Sequence, residues 1–567
     1  MNLPQIKPVG PRDAKIMIVG EAPGQNEVYR GEPFVGASGQ ELDKMLHEAG
    51  ILRSECFITN VCPWQPPRND IKKFFLKHTA YARIPGPEIE EGMKLLSQQI
   101  DEVKPNIIIA LGDTALWALT GETGITNWRG STLESDQNLN PDNYKVLPTF
   151  HPAAVLRKWD WRFITVHDLK RAKKESEFPE IRRPDYNFLI RPNFQTVMET
   201  LNDLISRANN PAKHPIERPE NVSPGKFPIH QWWRDPQKFR VSVDIETRRG
   251  HIACIGIAWS SLDALCIPLM CKENLEGYWS KEEEWEIILK VKELLLHPNV
   301  GVIGQNFLYD AQYFAKFYGY IPNVIDDTMI KHHVCWSGVS KGLDFLSSLY
   351  CDFHEYWKNE GKEFDIAHHS EDRLWVYNCK DAVITYEVNE RLNELIPQLQ
   401  LEGPYTFQMR QFRPILKMML RGVRIDQTNK NKLALELFDA IASREQWIID
   451  VLGQPLNVKS PKQMKELFYE EFGMSIIKNR KTGAPTLNAE ALQKLVTKEP
   501  LLKPLADVIE EIRSLGVFLN TFVKASIDRD GRMRCSYSIA GPETFRYASS
   551  KDAFGFGTNL QNIPKGN

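Results

Sequence analysis

Two short apolar runs, AKIMIVG (14–20) and NIIIALG (106–112), constrain this fold more than any other feature. Each reads as a buried strand and leads into a segment with apolar residues at helical spacing. After the first, Ser38-Gly-Gln-Glu41 has the form of a capping box ahead of Leu42, Met45, Leu46 and Ala49, with Gly50 as the C-cap. After the second comes Asp113-Thr114 and another helix. Strands that alternate with helices predict an α/β domain over residues 1–175.

The rest of the 567 residues divides by pattern. Residues 176–240 are rich in proline and polar residues and read as a linker or insertion, with one helical stretch near 194–206 that belongs to the next domain. Strands and helices alternate again over 241–398. From 399 long helical patterns dominate, as in 433–452 and 504–525, and strand patterns return after 530. The fold class expected is therefore multidomain α/β, ending in a mostly helical region. At roughly 150 residues per domain, three or four domains are expected.

Composition excludes several classes. With 42% hydrophobic and 25% charged residues, the chain is neither a disordered tail nor a fibre. It holds no run of about 18 apolar residues, so no membrane partner is expected. Nine cysteines without CxxC pairs read as reduced thiols of a cytoplasmic protein. A net charge of −2 leaves any nucleic-acid surface to local basic segments.

VSVDIET sets Asp244 and Glu246 two apart in a strand pattern, on one face and roughly 7 Å apart along it. GQNFLYDAQYF adds Asn306 and Asp310 at i, i+4 on one predicted helix, and YNCKDAVITYEV adds Tyr377 and Asp381 at the same spacing. Hard cations such as Mg²⁺ are held by carboxylates, water and substrate phosphate, so no His or Cys ligand is needed. Two such ions, four acids and a tyrosine suit phosphodiester hydrolysis, one ion activating water and the other steadying the leaving oxygen. In this order the motifs resemble the tyrosine-bearing branch of the proofreading 3′→5′ exonuclease superfamily, with a ribonuclease H-like fold. DDTMIKHH (326–333), carrying Asp327, resembles the same family. The resemblance implies Asp244, Glu246, Asp310 and Asp381 as ligands of two Mg²⁺ (or Mn²⁺) ions, and Tyr377 as the group that positions the water.

GEAPGQNEVYRGEPFVGASGQ after the first strand, then ITNV (58–61), LGDTA (111–115), Arg129-Gly130 and FHPAAVLR (150–157), resemble in order the uracil-DNA glycosylase superfamily. The resemblance implies that Phe34 stacks on a flipped uracil and Asn60 reads its edge. It gives Glu27 the attacking water and His151 the charge on the departing base. Glycosylases extrude the base and read it in this way. Relatives of this branch carry four cysteines for an iron–sulfur cluster; here only Cys56 and Cys62 are present, so no cluster is expected. RKWDWRFITVHDLKRAKK (157–174), starting at Arg157, interleaves basic and aromatic residues, which fits either phosphate contact or a solvated amphipathic helix.

RGVRID (421–426), NVKSPKQMKELFYEEFG (457–473), GAPTLN (483–488) and ETFRYASSKDAFGFGTNLQNIP (543–564) resemble the thumb and first palm strands of family A DNA polymerases, those like bacterial DNA polymerase I. Lys459, Lys462, Lys465, Lys478, Arg480 and Lys481 supply local positive charge. The resemblance implies that Arg546, Ser549, Ser550 and Gln561 lie along a primer–template. The family's next motif, DYSxIELR, does not occur, so the palm and fingers are expected in a separate polypeptide, in an exon beyond an intron, or lost, and this chain alone is expected not to polymerise. Glycosylase-like domains fused to such polymerases imply a bacteriophage source and a host-cytoplasm location. Two alternatives stand beside the exonuclease: a non-catalytic DNA-binding subunit of a split polymerase, and a base-excision-repair glycosylase.

Overall fold

Ile16–Gly20 (β1), Cys56–Asn60 (β2) and Ile107–Leu111 (β3) are buried along their whole lengths, as strands covered on both faces must be. In this computed structural model, which describes residues 4–79, 82–140, 142–210, 238–274, 277–362, 368–479 and 483–563, they join Leu133–Glu134 (β4) and Lys145–Thr149 (β5). The sheet order is β2-β1-β3-β5-β4. All pairs are parallel except β4 with β5. Alternate side chains serve opposite layers. Ile16, Ile18 and Ile109 meet Leu42, Met45, Leu46 and Leu169 on one face, while Met17, Val19 and Ile108 meet Leu96, Ile100, Leu116 and Leu119 on the other. Burial of each such side chain contributes about 1.5–3 kcal/mol.

The second helix after β1, following the short Gln25–Arg30, is Ala37–Ala49, with Gly36 at its N-cap. Ser38 therefore lies inside the helix, and the expected capping box does not form. Glu41 is buried and accepts from Arg162 Nε at 2.6 Å; an interhelical ion pair takes the carboxylate the cap was expected to use.

A second sheet comprises Asn187–Leu189 (β6), Phe239–Arg248 (β7), His251–Ala258 (β8), Asp263–Pro268 (β9), Val300–Gly304 (β10) and Val324–Asp327 (β11). Its order is β11-β10-β7-β8-β9-β6. β7, β8 and β9 form an antiparallel meander, and β10 runs parallel to β7 and β11. The 27-residue helix Asp372–Gln398 packs Trp375, Cys379, Ala382 and Val383 onto Cys254, Ala258, Ala264 and Cys266 of this sheet. The helical stretch expected near 194–206 is Phe194–Asn209, capped by the Asn193 side chain. Most of the proline-rich stretch (211–237) and the basic residues Arg480 and Lys481 lie outside the described residues.

The chain forms two compact units, one of residues 1–307 and 322–405, the other of 308–321 and 406–567. In the second, the helices Gln427–Leu452 and Lys503–Phe518 share a core that includes Ile448, Leu505, Ile509 and Ile512. Two short antiparallel pairs follow, Val423–Arg424 with Arg532–Met533 and Ser536–Ser538 with Ala548–Ser550. Among the described residues, no helix is long and apolar enough to cross a membrane.

Candidate functional site

β7 carries Asp244 and Glu246, paired in register with Gly256 and Cys254 of β8. Gly256 matters because a Cβ there would stand 2.6 Å from Asn378 Oδ1. Its absence lets the helix Asp372–Gln398 come close enough for Asn378 Nδ2 to donate to Asp244 Oδ2 at 2.8 Å. The same helix presents Tyr377 and Asp381 one turn apart. The result is a trio, Asp244, Glu246 and Asp381, whose ligand oxygens all lie within 4.8 Å of one another. Asp310 is buried in the first turn of the helix Leu308–Tyr318, in the second unit, and is not one of the gathered trio.

The electrostatics fit a cation site. Burial, then the Asp381 charge, raises the Asp244 pKa, and burial, then Asp244, raises that of Glu246. Like-charged carboxylates held this close are costly as bare anions, and a divalent cation relieves that cost with hard oxygen donors. Burial and then Asp381 raise the Tyr377 pKa as well, so its phenol remains an O–H donor rather than a base. Two residues without a sequence signal touch Asp381: Trp357 Nε1 donates to Oδ1 at 2.7 Å, and Lys358 Nζ donates to Oδ2. Lys358 also donates to the Tyr377 hydroxyl at 2.9 Å.

Asn306 does not share a helix with Asp310. The helix begins at Leu308, and Asn306 adopts φ 55° just before it. Asp327 explains the turn. Its buried carboxylate accepts from the amides of Asn306 and Phe307 and caps the next helix through Met329 and Ile330. Asp327 is thus a clamp for the segment that leads to Asp310.

A second constellation gathers at the carboxyl ends of the first sheet's strands, where α/β sheets bind ligands. A Cβ on Gly20, at the end of β1, would lie 2.4 Å from both Asn60 Oδ1 and Phe34 Cζ. Only glycine admits this convergence. Phe34, at φ 56°, stands 5.8 Å from the His151 ring, centroid to centroid. Glu27 is buried and accepts from the amides of Val35 at 3.0 Å and Gly36 at 2.8 Å. His151 caps the helix Pro152–Arg157, its Nδ1 accepting from Ala153 N–H at 3.1 Å. Desolvation lowers its pKa to about 4. At neutral pH the ring is therefore uncharged, with its proton on Nε2, the nitrogen left free to donate.

The basic-aromatic stretch 157–174 is largely committed internally. Arg162 pairs with Glu41 and Glu48, and Lys173 donates to the Gly50 carbonyl. Arg171 is buried and serves three carbonyls of residues 348–352. Arg157 is exposed. In the second unit Lys459, Lys462, Arg546, Ser550 and Gln561 are exposed, while Ser549 Oγ donates to Asn559 Oδ1 at 2.5 Å.

Comparison with known proteins follows this division. Residues 7–176 match the uracil DNA glycosylase superfamily, residues 229–397 the 3′-5′ exonuclease family and residues 427–567 DNA polymerase family A. A type-4 uracil-DNA glycosylase of Thermotoga maritima is 36% identical over 169 residues, covering 29% of this chain and 79% of that protein. A DNA polymerase of Bacillus phage SP01 is 24% identical over 662 aligned positions that take in all of this chain and 64% of the relative. DNA polymerase I of Rhizobium leguminosarum is 27% identical over 48% of this chain and 27% of its own length. The chain thus spans under two thirds of the polymerases it matches. The family A match runs through residue 567; the expectation that palm and fingers are missing finds no support in it. Over residues 7–176 the chain belongs to the uracil-DNA glycosylase superfamily, and its later segments match the 3′-5′ exonuclease family and DNA polymerase family A.

Proposed function

We propose that this chain hydrolyses DNA from the 3′ end, as the proofreading part of a family A polymerase, at the site formed by Asp244, Glu246 and Asp381. The observation that carries this reading is the gathering of three carboxylates from a strand and a facing helix within 4.8 Å, with Tyr377 one turn from Asp381. Mg²⁺ or Mn²⁺ bound by these oxygens would supply an activated water and stabilise the leaving 3′ oxygen. The chain's own groups do the rest. Tyr377 stays protonated and donates a hydrogen bond to orient the water. Asn378 holds Asp244 in its rotamer. The test is digestion of a 3′-labelled single strand with Mg²⁺. Asp244→Ala is expected to abolish release of label while the melting profile is retained; full activity in that variant refutes the site.

Convergence of Phe34 and Asn60 over Gly20, with the His151 ring 5.8 Å from that of Phe34, supports a second activity, excision of uracil. Phe34 would stack on the flipped base and Asn60 read its edge. Glu27 would hold the water and His151 Nε2–H would donate to the departing base. Uracil release from a labelled duplex, lost in Asn60→Ala, tests it. Arg157, Lys459, Lys462, Arg546, Ser549, Ser550 and Gln561 are proposed to contact DNA along the single strand and primer–template. The chain is proposed to act in a bacterial host cytoplasm.

A further inference from the structure

The two groups that hold Asp381, Trp357 and Lys358, belong to neither a strand nor a recognisable motif. Trp357 ends an irregular segment, and Lys358 starts the five-residue helix Lys358–Lys362. That segment is held from the glycosylase-like domain. Thr132 N–H donates to the His354 carbonyl at 2.8 Å. Tyr356 N–H donates to Ser131 Oγ at 3.1 Å, and the Tyr356 ring meets Trp128 edge-on at 5.2 Å. Just upstream, Arg171 donates to the carbonyls of Ser348, Cys351 and Asp352 at 2.8–3.1 Å. Ser131, Thr132, Arg171, His354 and Tyr356 are all buried. Buried backbone groups anchored in this way cannot shift without leaving donors or acceptors unpaired.

At the other end of the segment the chemistry is directional. A lysine ammonium has three donors and no acceptor. The Tyr377 oxygen must therefore accept from Lys358, and the phenol proton is turned away from the ammonium, toward the side of the Asp381 carboxylate. Trp357, a donor only, fixes the second oxygen of Asp381. Together they set the rotamer of a metal-site carboxylate and the direction of the tyrosine proton.

We propose that the glycosylase-like domain is a scaffold for the exonuclease site: Trp128, Ser131 and Thr132 hold residues 354–356, so that Trp357 and Lys358 fix Asp381 and aim the Tyr377 hydroxyl. Lys358 and Trp357 are positioning residues, and the role of Ser131 is exerted through them. The inference rests on the exonuclease activity proposed above. It accounts for a feature no motif explains, since a loop of the first domain ends as the support of the second domain's site.

The test uses the full chain and a 3′-labelled single strand with Mg²⁺, and reads kcat and KM separately. Lys358→Met is expected to lower kcat about 10- to 100-fold, in the range found when supports of metal ligands are lost, with KM within about twofold of wild type. Lys358→Arg retains the charge and donors and is expected to recover part of that loss. Ser131→Ala, nearly isosteric, and Ser131→Ala with Trp128→Ala are expected to lower kcat roughly 2- to 30-fold, the span of mutational coupling between connected sites, with no contact to DNA changed. Melting temperatures are read in parallel. If the double variant unfolds, Ser131→Ala alone decides. Wild-type kcat in Lys358→Met or in the folded Ser131 variant overturns the inference, as does Lys358→Arg no better than Lys358→Met. If the wild-type chain itself releases no 3′ label, the exonuclease reading fails and the scaffold role falls with it. If wild type is active, Asp244→Ala inactive and the scaffold variants unaffected, only the scaffold is refuted.

Discussion

Replacing Asp244 by Asn should separate stability from activity with opposite signs. The three carboxylates lie within 4.8 Å of one another. Two unit charges about 4.8 Å apart repel by about 3.5 kcal/mol at an effective dielectric near 20. The amide would remove that repulsion toward Glu246 and Asp381, and it keeps an oxygen to accept from Asn378 Nδ2. Part of the gain is offset by lost attraction to Lys358, whose charge faces the cluster. A net stabilisation on the order of 1–3 kcal/mol without divalent ions follows. The pH dependence has a definite sign. Burial, then Asp381, raises the Asp244 pKa in the folded state, so the folded protein holds a proton that the unfolded chain releases. Stability of the wild type falls as pH rises above the ordinary carboxyl value of about 3.9, and the variant escapes this loss. Thermal unfolding in EDTA at pH 5, 7 and 8 measures it, at roughly 2–4 °C per kcal/mol for a unit of 150–250 residues. Asp244→Asn should melt higher than wild type, increasingly so toward pH 8, gain less from added Mg²⁺ and show no 3′ hydrolysis. A variant that melts lower in EDTA, or gains as much from Mg²⁺ as wild type, refutes the electrostatic reasoning.

Four further outcomes are expected. His151→Ala should lower uracil release about 10²- to 10³-fold, the cost of losing one oxyanion donor. Because desolvation lowers its folded pKa to about 4, the His151 contribution to stability is complete above pH 6.5 and lost as pH falls through about 4, and a pH–stability profile of wild type against His151→Ala reads it. Arg129 makes a buried two-point pair with Asp168 and donates to Ser348 Oγ, so Arg129→Ala should cost about 3–5 kcal/mol by leaving a buried carboxylate unpaired, read by denaturant unfolding. EDTA should abolish 3′ hydrolysis and leave uracil release intact, since Phe34, Asn60, Glu27 and His151 include no gathered carboxylate set.

What the sequence revealed depended on range. β1 and β3 were legible because an apolar run buried on both faces is a local pattern, and Tyr377 and Asp381 because helical spacing places them one turn apart. Ser38 and Asn306 misled for a shared reason: a local motif competes with partners elsewhere in the chain. Glu41 is taken by Arg162, and Asn306 is drawn into a left-handed turn by Asp327. The basic residues at 162–174 looked free because their acceptors, Glu48 and the carbonyls of 348–352, are distant in sequence. Asn378 could have been noticed, standing between Tyr377 and Asp381 on the same helix. Trp357 and Lys358 could not, because their role comes from a loop whose conformation is set by residues some 220 positions earlier.

The most direct measurement follows a 5′-labelled single strand, incubated with the purified chain and Mg²⁺, by gel over time, with Asp244→Ala and Asp381→Ala beside it. A ladder that shortens one nucleotide at a time from the 3′ end, yields 5′-mononucleotides and is absent in both variants is the predicted result. A full-length strand that persists with wild type, or a ladder that persists in the variants, contradicts the account.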